Sequence, residues 1–123
     1  MRSVHTGSWD NVQDTLGFDL MATLVTGEED LGVARHKLAE YDVNPHDLPE
    51  EVVERFNFIT KIMKHIAGSF NDYGMKRWFL RRRTQLQGIS PAQVLTGDWK
   101  PNEEWPQKVL QLAETLSRPQ DAT

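Results

Sequence analysis

The sequence predicts an all-α fold, a compact bundle of five or six helices. Apolar residues recur at spacings of three and four along most of the chain, the mark of helices that bury one face. No stretch alternates apolar and polar residues with period two over a useful length, which a half-buried strand would require. The periodic segments are separated by Gly, Pro, Asn and Ser-Pro steps standing where helices start or stop.

The elements follow in order. Residues 1–11 carry one apolar anchor, Trp9, and read as a flexible arm. A helix is expected over about Val12 to Val25, with Val12, Leu16, Leu20 and Leu24 spaced by four and Gly17 as a weak point. Thr26 and Glu29 stand at capping-box spacing, and the acids of "GEED" suit the positive end of a helix. They predict a second helix near Glu28 to Tyr41, with Leu31, Ala34, Leu38 and Tyr41 on one stripe. The stretch "DVNPHDLPEE" breaks the chain with two prolines. Asp47 then fits an N-cap, Pro49 the first turn and Glu50 the reciprocal capping position.

The longest helix comes next. Val52, Phe56, Ile59, Met63, Ile66 and Phe70 form one apolar seam, and Glu54, Arg55, Lys61 and Lys64 occupy the opposite face. The seam reads as intramolecular core, with a dimer interface as the alternative. After "GSFNDYG", a short helix from Met75 to Arg83 brings Met75, Trp78, Phe79 and Arg82 near one another. Ser90 is a cap followed by Pro91, the residue best suited to a first helical position, so Pro91 to Thr96 should be a short helix stopped at Gly97. A final helix reaches about Ser117, with Pro106 in its first turn and Trp105, Val109, Leu112 and Leu116 on one stripe. Residues 118–123, "RPQDAT", read as a frayed tail.

A chain of 123 residues with 38% hydrophobic and 26% charged content fits one domain around one core. It lacks an apolar run of membrane-spanning length, and "MRSVHTGSWDN" lacks the apolar segment of a secretory signal, so a soluble, unexported chain is expected. With zero cysteines, disulfide frameworks, Cys-based zinc sites and thiol nucleophiles are excluded together, which favours a cytoplasmic address. The net charge of −4 argues against a dedicated nucleic-acid binder but hides an asymmetry. Residues 1–54 hold twelve Asp/Glu against three Lys/Arg, whereas residues 55–83 hold eight Lys/Arg against Asp72 alone. Either the basic segment neutralises the acidic half within one fold, or it is a docking face.

No catalytic constellation emerges. Gly88-Ile89-Ser90-Pro91-Ala92 superficially matches a nucleophile elbow, but that motif needs the backbone N–H of the residue after the serine, and Pro91 has none. His36 and Glu40 are four apart on a predicted helix, and two ligands do not make a metal site; His5, His46 and His65 are scattered. Glu50/Glu51 and Glu103/Glu104 fall at helix starts, where dipole compensation explains them. No cofactor is implied. The basic segment (Arg55, Lys61, Lys64, Lys76, Arg77, Arg81, Arg82 and Arg83) is mixed with Phe70, Tyr73, Trp78 and Phe79, a composition that single-strand binders use. The aromatics also fall where core stripes need them, and Arg81 to Arg83 complement the negative end of a helix.

In "WFLRRRTQLQGISPAQVLTGDW", residues 78–99, the order Trp78-Phe79, Leu86, Ser90-Pro91-Ala92, Leu95 and Gly97 resembles the antitoxin Xre/MbcA/ParS-type toxin-binding domain family. Upstream, "LMATLVTGEEDLGVARHKLAEYDVNPHDLPEEVVERFNFITKIMKHI" is similar in layout to that family's Xre-type helix-turn-helix region and the long helix after it. The likeness covers about residues 16–116. Departures are Arg83-Thr84, where Asn-Pro is common, and "GVARHKLAEY", where a tryptophan is frequent. The resemblance implies a diverged helix-turn-helix-like part at 12–46, and a long helix with a short-helix toxin-binding part at 47–117. It implies a non-enzymatic antitoxin that covers the active site of a cognate toxin, typically a RES-domain enzyme that consumes NAD, with repression of its own operon as a second role and homo-oligomerisation before or upon toxin capture. Partner contacts would then fall on Trp78, Arg81, Arg82, Arg83, Gln85, Ser90 and Trp99, with Trp105 and Arg118 reaching toward the toxin cleft; operator DNA would meet Arg35, His36 and Lys37. Two rivals stay open: a DNA-binding regulator using residues 16–41, and an assembly protein, for instance of a phage, that dimerises through the 52–70 seam. No membrane partner is expected.

Overall fold

A computed structural model describes residues 6–117. Among these residues there are seven α-helices: α1 (Thr6–Leu16), α2 (Phe18–Val25), α3 (Leu31–Val43), α4 (Glu50–Ile66), α5 (Asp72–Leu80), α6 (Pro91–Val94) and α7 (Glu104–Ser117), with a 3₁₀ turn at Thr84–Leu86. The bundle is all-α, as the periodicity predicts, with more helices than the five or six expected. None of the described helices is long and apolar enough to cross a membrane.

The extra helices have local causes. The helix expected over Val12 to Val25 is two helices, because Gly17 takes a positive φ of 87° that a side chain would resist. Its N–H donates to Gln13 O at 2.8 Å and its carbonyl accepts from Met21 N at 3.1 Å, so one glycine closes α1 and opens α2. The expected arm is corrected from Thr6 onward. Residues 6–11 belong to α1, and Trp9 is fully buried, its ring on Phe56 at 5.2 Å and its indole N–H on Asp42 Oδ1 at 2.7 Å. Residues 1–5 and the tail 118–123, Arg118 included, lie outside the described residues.

Two caps also differ. Thr26 closes α2 by donating its hydroxyl to Ala22 O at 2.6 Å, and Asp30 caps α3 by accepting from Val33 N at 3.0 Å. Before α4, the cap is not Asp47. Asn44 turns the chain, its side chain accepting from His46 N and its carbonyl from Asp47 N; Leu48 is buried; and Pro49 occupies the cap position, so the helix begins at Glu50.

Val52, Phe56, Ile59, Met63 and Ile66 of the α4 seam are buried in the same core as Trp9, Leu24, Leu38, Phe79 and Val109. Each of the larger of these contributes about 1.5–3 kcal/mol by leaving water. The chain's own core therefore covers these five side chains of the seam, while Phe70, beyond the helix end, is exposed. α4 packs on α7 and α2, and α5 on α1 and α6. In α7 the buried side chains are Pro106, Val109, Leu110 and Ala113, so the stripe is rotated by about one residue from the expected one, and Trp105, Leu112 and Leu116 lie along its edge.

Arg55 corrects the expected polar face of α4. It is buried beside Val25 and Trp99 rather than presented to a partner.

Candidate partner-binding surface

Helix α5 divides its side chains cleanly. Asn71 caps it by accepting from Gly74 N at 2.8 Å. Met75, Trp78 and Phe79 face the core, and Tyr73, Arg77 and Leu80 face outward, with Tyr73 68% and Leu80 52% exposed. Tyr73, Arg77 and Arg81 recur at spacings of four, so they form one ridge. The Arg77 guanidinium lies over the Tyr73 ring at 5.8 Å.

The helix stops at Leu80, not Arg83, because the chain turns extended at Arg81 and Arg83 pairs with Ile89 instead. Arg83 N donates to Ile89 O at 3.0 Å, and Gly88 N donates to Arg83 O at 2.9 Å. Leu86 anchors this loop in the core, and Gln87 turns it with a left-handed φ of 57°. Ser90 then opens α6 with a full capping box: its hydroxyl accepts from Gln93 N at 3.1 Å while its N–H donates to Gln93 Oε1 at 2.8 Å. Ser90→Ala is expected to cost about 1 kcal/mol, read as a lower denaturant midpoint, with partner affinity unchanged. Unaltered stability together with lost partner binding would make Ser90 a contact instead.

Two clefts flank the ridge. One, of about 350 Å³, is lined by Phe70, Tyr73, Gly74, Arg77, Trp78, Arg81, Arg83 and Leu116. The other, of about 590 Å³, is lined by Tyr73, Lys76, Arg77, Leu80 and Arg81. Arg83 sits partly buried with its guanidinium over the Trp78 ring at 4.8 Å and Nη2 donating to Trp78 O at 3.2 Å. Its Nε is buried without a hydrogen-bond partner among the described residues. Burial, and then the neighbouring Arg81 charge, push the Arg83 pKa below the ordinary arginine value. A third recess, between Glu54, Asn57, Phe58, Lys61 and the loop Lys100 to Asn102, holds about 540 Å³ but mixes both signs of charge.

The basic side chains of α3 are placed differently, whereas Lys61, Lys64 and Lys108 have no carboxylate partner among the described residues. Arg35 grips Asp19 bidentately at 2.7 and 2.8 Å and holds that carboxyl below the usual range. Lys37 pairs with Glu28, and His36 faces Glu40 at 3.1 Å. Arg77, Arg81, Arg82 and Arg83 have no carboxylate partner among the described residues.

Of the residues the sequence proposed as contacts, Arg81, Arg82 and Gln85 are exposed and Arg83 is half-exposed. Three others are corrected to core. Trp78 is 4% exposed and packs edge-on against Phe79; Ser90 is a buried cap; Trp99 is buried against Phe58 with its indole N–H on Leu24 O at 2.9 Å. Trp105 lies at the opposite end of α7 from Leu116, about 16 Å away at 1.5 Å per residue, under the Lys108 ammonium. Arg35, His36 and Lys37 line neither cleft. Phe70, Tyr73, Lys76, Arg77, Leu80, Ile89 and Leu116 were missed as site residues. The spacing of four from Tyr73 through Arg81, opposite the apolar Met75, Trp78 and Phe79, was the available signal. The chain matches no known family, no curated protein and no solved structure.

Proposed function

We propose that this protein is a non-catalytic binding module, an antitoxin-like inhibitor that seats the α5 ridge and the loop after it on a cognate toxin enzyme and blocks the enzyme by covering its active site. The observation that carries this reading is a coincidence on one surface. Four exposed large apolar side chains (Phe70, Tyr73, Leu80 and Leu116) gather around arginines that lack carboxylate partners among the described residues. Exposed aromatic and aliphatic groups beside Arg are what interface centres favour, because they supply apolar area and strong directed hydrogen bonds together. The likeness of residues 78–99 to toxin-binding domains, which includes this loop and its Ser-Pro cap, supports the same surface and suggests a RES-type, NAD-consuming toxin. Inhibition then needs no chemistry from this chain, only occupancy.

A DNA-binding role for α3 has less support. Arg35 and Lys37 already pair with Asp19 and Glu28, and His36 stands against Glu40, so contact with phosphate would first break those contacts, in the acid-rich part of the chain.

Co-expression with the product of the adjacent gene, tandem purification and a growth assay test the proposal. A stable complex, and growth arrest only when this chain is missing, is the expected result. A chain that purifies alone beside a harmless neighbour would sink the toxin pairing.

A further inference from the structure

We infer that the cleft between α5 and the end of α7 receives one carboxylate carried on an apolar stretch of polypeptide, an Asp or Glu of the partner flanked by aliphatic or aromatic neighbours. This rests on the partner-binding reading and names the chemistry that the surface selects. Arg77, Arg81 and Arg83 line a single cleft of about 350 Å³, within the size range of ligand sites, and no acidic residue among those described lines it. Like charges held this close repel one another, and the repulsion is relieved by an anion.

Arg83 is the most demanding of the three. Its fork uses Nη2 on a backbone carbonyl, its plane rests on Trp78, and its buried Nε has no acceptor among the described residues, so the group is partly desolvated without the hydrogen bonds that desolvation calls for. A carboxylate in the cleft meets the side of this guanidinium that is not buried, as well as the guanidinium groups of Arg77 and Arg81, with charge-assisted hydrogen bonds, and does so best where water is partly excluded.

The rest of the cleft decides what carries that anion. Phe70, Trp78 and Leu116 give it an apolar lining, and the Tyr73 ring adds to the wall. A bare phosphate leaves that lining wet, whereas an acidic residue beside leucine-like side chains covers it. A nucleic acid would bring a run of phosphates toward a chain of net charge −4, twelve of whose acids lie in residues 1–54. Long-range repulsion therefore opposes a polyanion more than a protein with one local acid. The neighbouring cleft along Tyr73, Arg77 and Leu80 gives the flanking apolar residues a second place to pack.

The 123-residue chain, labelled so that arginine Nε–H and tryptophan indole N–H resonances are seen, is titrated with the peptide acetyl-Leu-Glu-Leu-Leu-amide and with its Gln counterpart. Saturable shifts of the Arg83 and Arg81 Nε–H and the Trp78 indole are expected, with the Gln peptide about tenfold weaker or worse. Arg81→Ala should remove most of that preference while leaving the Gln peptide's affinity in place, the outcome a double-mutant cycle isolates. Equal affinity for the two peptides, or no shift at millimolar Glu peptide, overturns the inference. So does tighter binding of a single-stranded thymidine hexamer at the same resonances, which would make the cleft a phosphate site. A shift of the Arg83 Nε–H caused by Asp121→Asn alone would assign the cleft to the chain's own C-terminal segment and overturn the partner assignment. Arg77→Ala/Arg81→Ala separates the two levels: a toxin captured with undiminished affinity by this variant refutes the cleft and the ridge as its seat, and leaves the antitoxin role standing on another surface. Glu-selective peptide binding with no toxin captured supports the cleft and removes that reading.

Discussion

Arg55→Met is expected to lower the unfolding free energy by about 3 kcal/mol, measured by urea denaturation at unchanged slope. The side chain of Arg55 is 3% exposed, and its nitrogens reach three acceptors in two other segments: Trp99 O at 3.0 Å and Asp98 Oδ1 at 2.6 Å in one and, more weakly, Val25 O at 3.4 Å in the other. One guanidinium thus ties the end of α2 and the loop before α7 to the middle of α4. Methionine fills most of the volume but leaves buried carbonyls without donors, and each orphaned acceptor costs about 1–3 kcal/mol. The ion pair itself explains little of the effect, because Asp98 is 77% exposed and an exposed carboxylate is well screened. Asp98→Asn should therefore cost less than about 1 kcal/mol. Arg55→Lys should recover little, since an ammonium lacks the fork that spans two elements. The backbone is fitted to this arginine as well: at Gly27, with φ 79°, a Cβ would sit 2.7 Å from Arg55 Nη1. If Asp98→Asn proves as damaging as Arg55→Met, the pair rather than the carbonyl contacts holds the segments, and this account fails.

Arg55 also marks where sequence reading stops. The period of the α4 seam was legible, and Val52 through Ile66 are buried as it requires. Period alone placed Arg55 with Glu54, Lys61 and Lys64 on a solvated face, because nothing local reveals that a carbonyl 44 residues away will meet it. Ser90 was read correctly as a cap, since the Ser-Pro step and Gln93 act within one turn. Gly17 was seen as a weak point, but whether glycine weakens a helix or breaks it depends on the packing of both halves, which lies outside any short window. For the same reason the arginine cluster was seen while its division was not. Arg81 and Arg82 are exposed, whereas Arg83 turns back over Trp78 through pairing with Ile89. Trp78 and Trp99 looked like contact residues in a motif, and tertiary burial reassigns them to the core. The ridge of Tyr73, Arg77 and Arg81 is present in the spacing, but spacing alone does not tell that α5 ends at Leu80, which separates this ridge from Arg82 and Arg83.

Trp9→Ala is expected to cost about 4 kcal/mol, among the largest losses a single substitution in this chain can cause. The ring is fully buried, tilted against Phe56 at 5.2 Å, and its N–H donates to Asp42 at 2.7 Å, so truncation removes apolar area, an aromatic contact and a donor together. It also leaves a cavity beneath α1, and α1 is held to the bundle through Trp9, Val12 and Leu16. A fall in melting temperature on the order of 10–20 °C follows for a domain of this size. Trp9→Phe keeps most of the ring but loses the hydrogen bond to Asp42, and should fall short of wild type by about 1–2 kcal/mol. The same reasoning predicts that removing residues 1–11 destabilises the domain at least as much as Trp9→Ala, an outcome a flexible arm would not give. Because α1 packs on α5, loosening it should also weaken partner capture through the Tyr73–Arg81 ridge without touching a contact residue. If the truncated chain melts at the wild-type temperature, α1 is dispensable and the burial of Trp9 contributes nothing to the core.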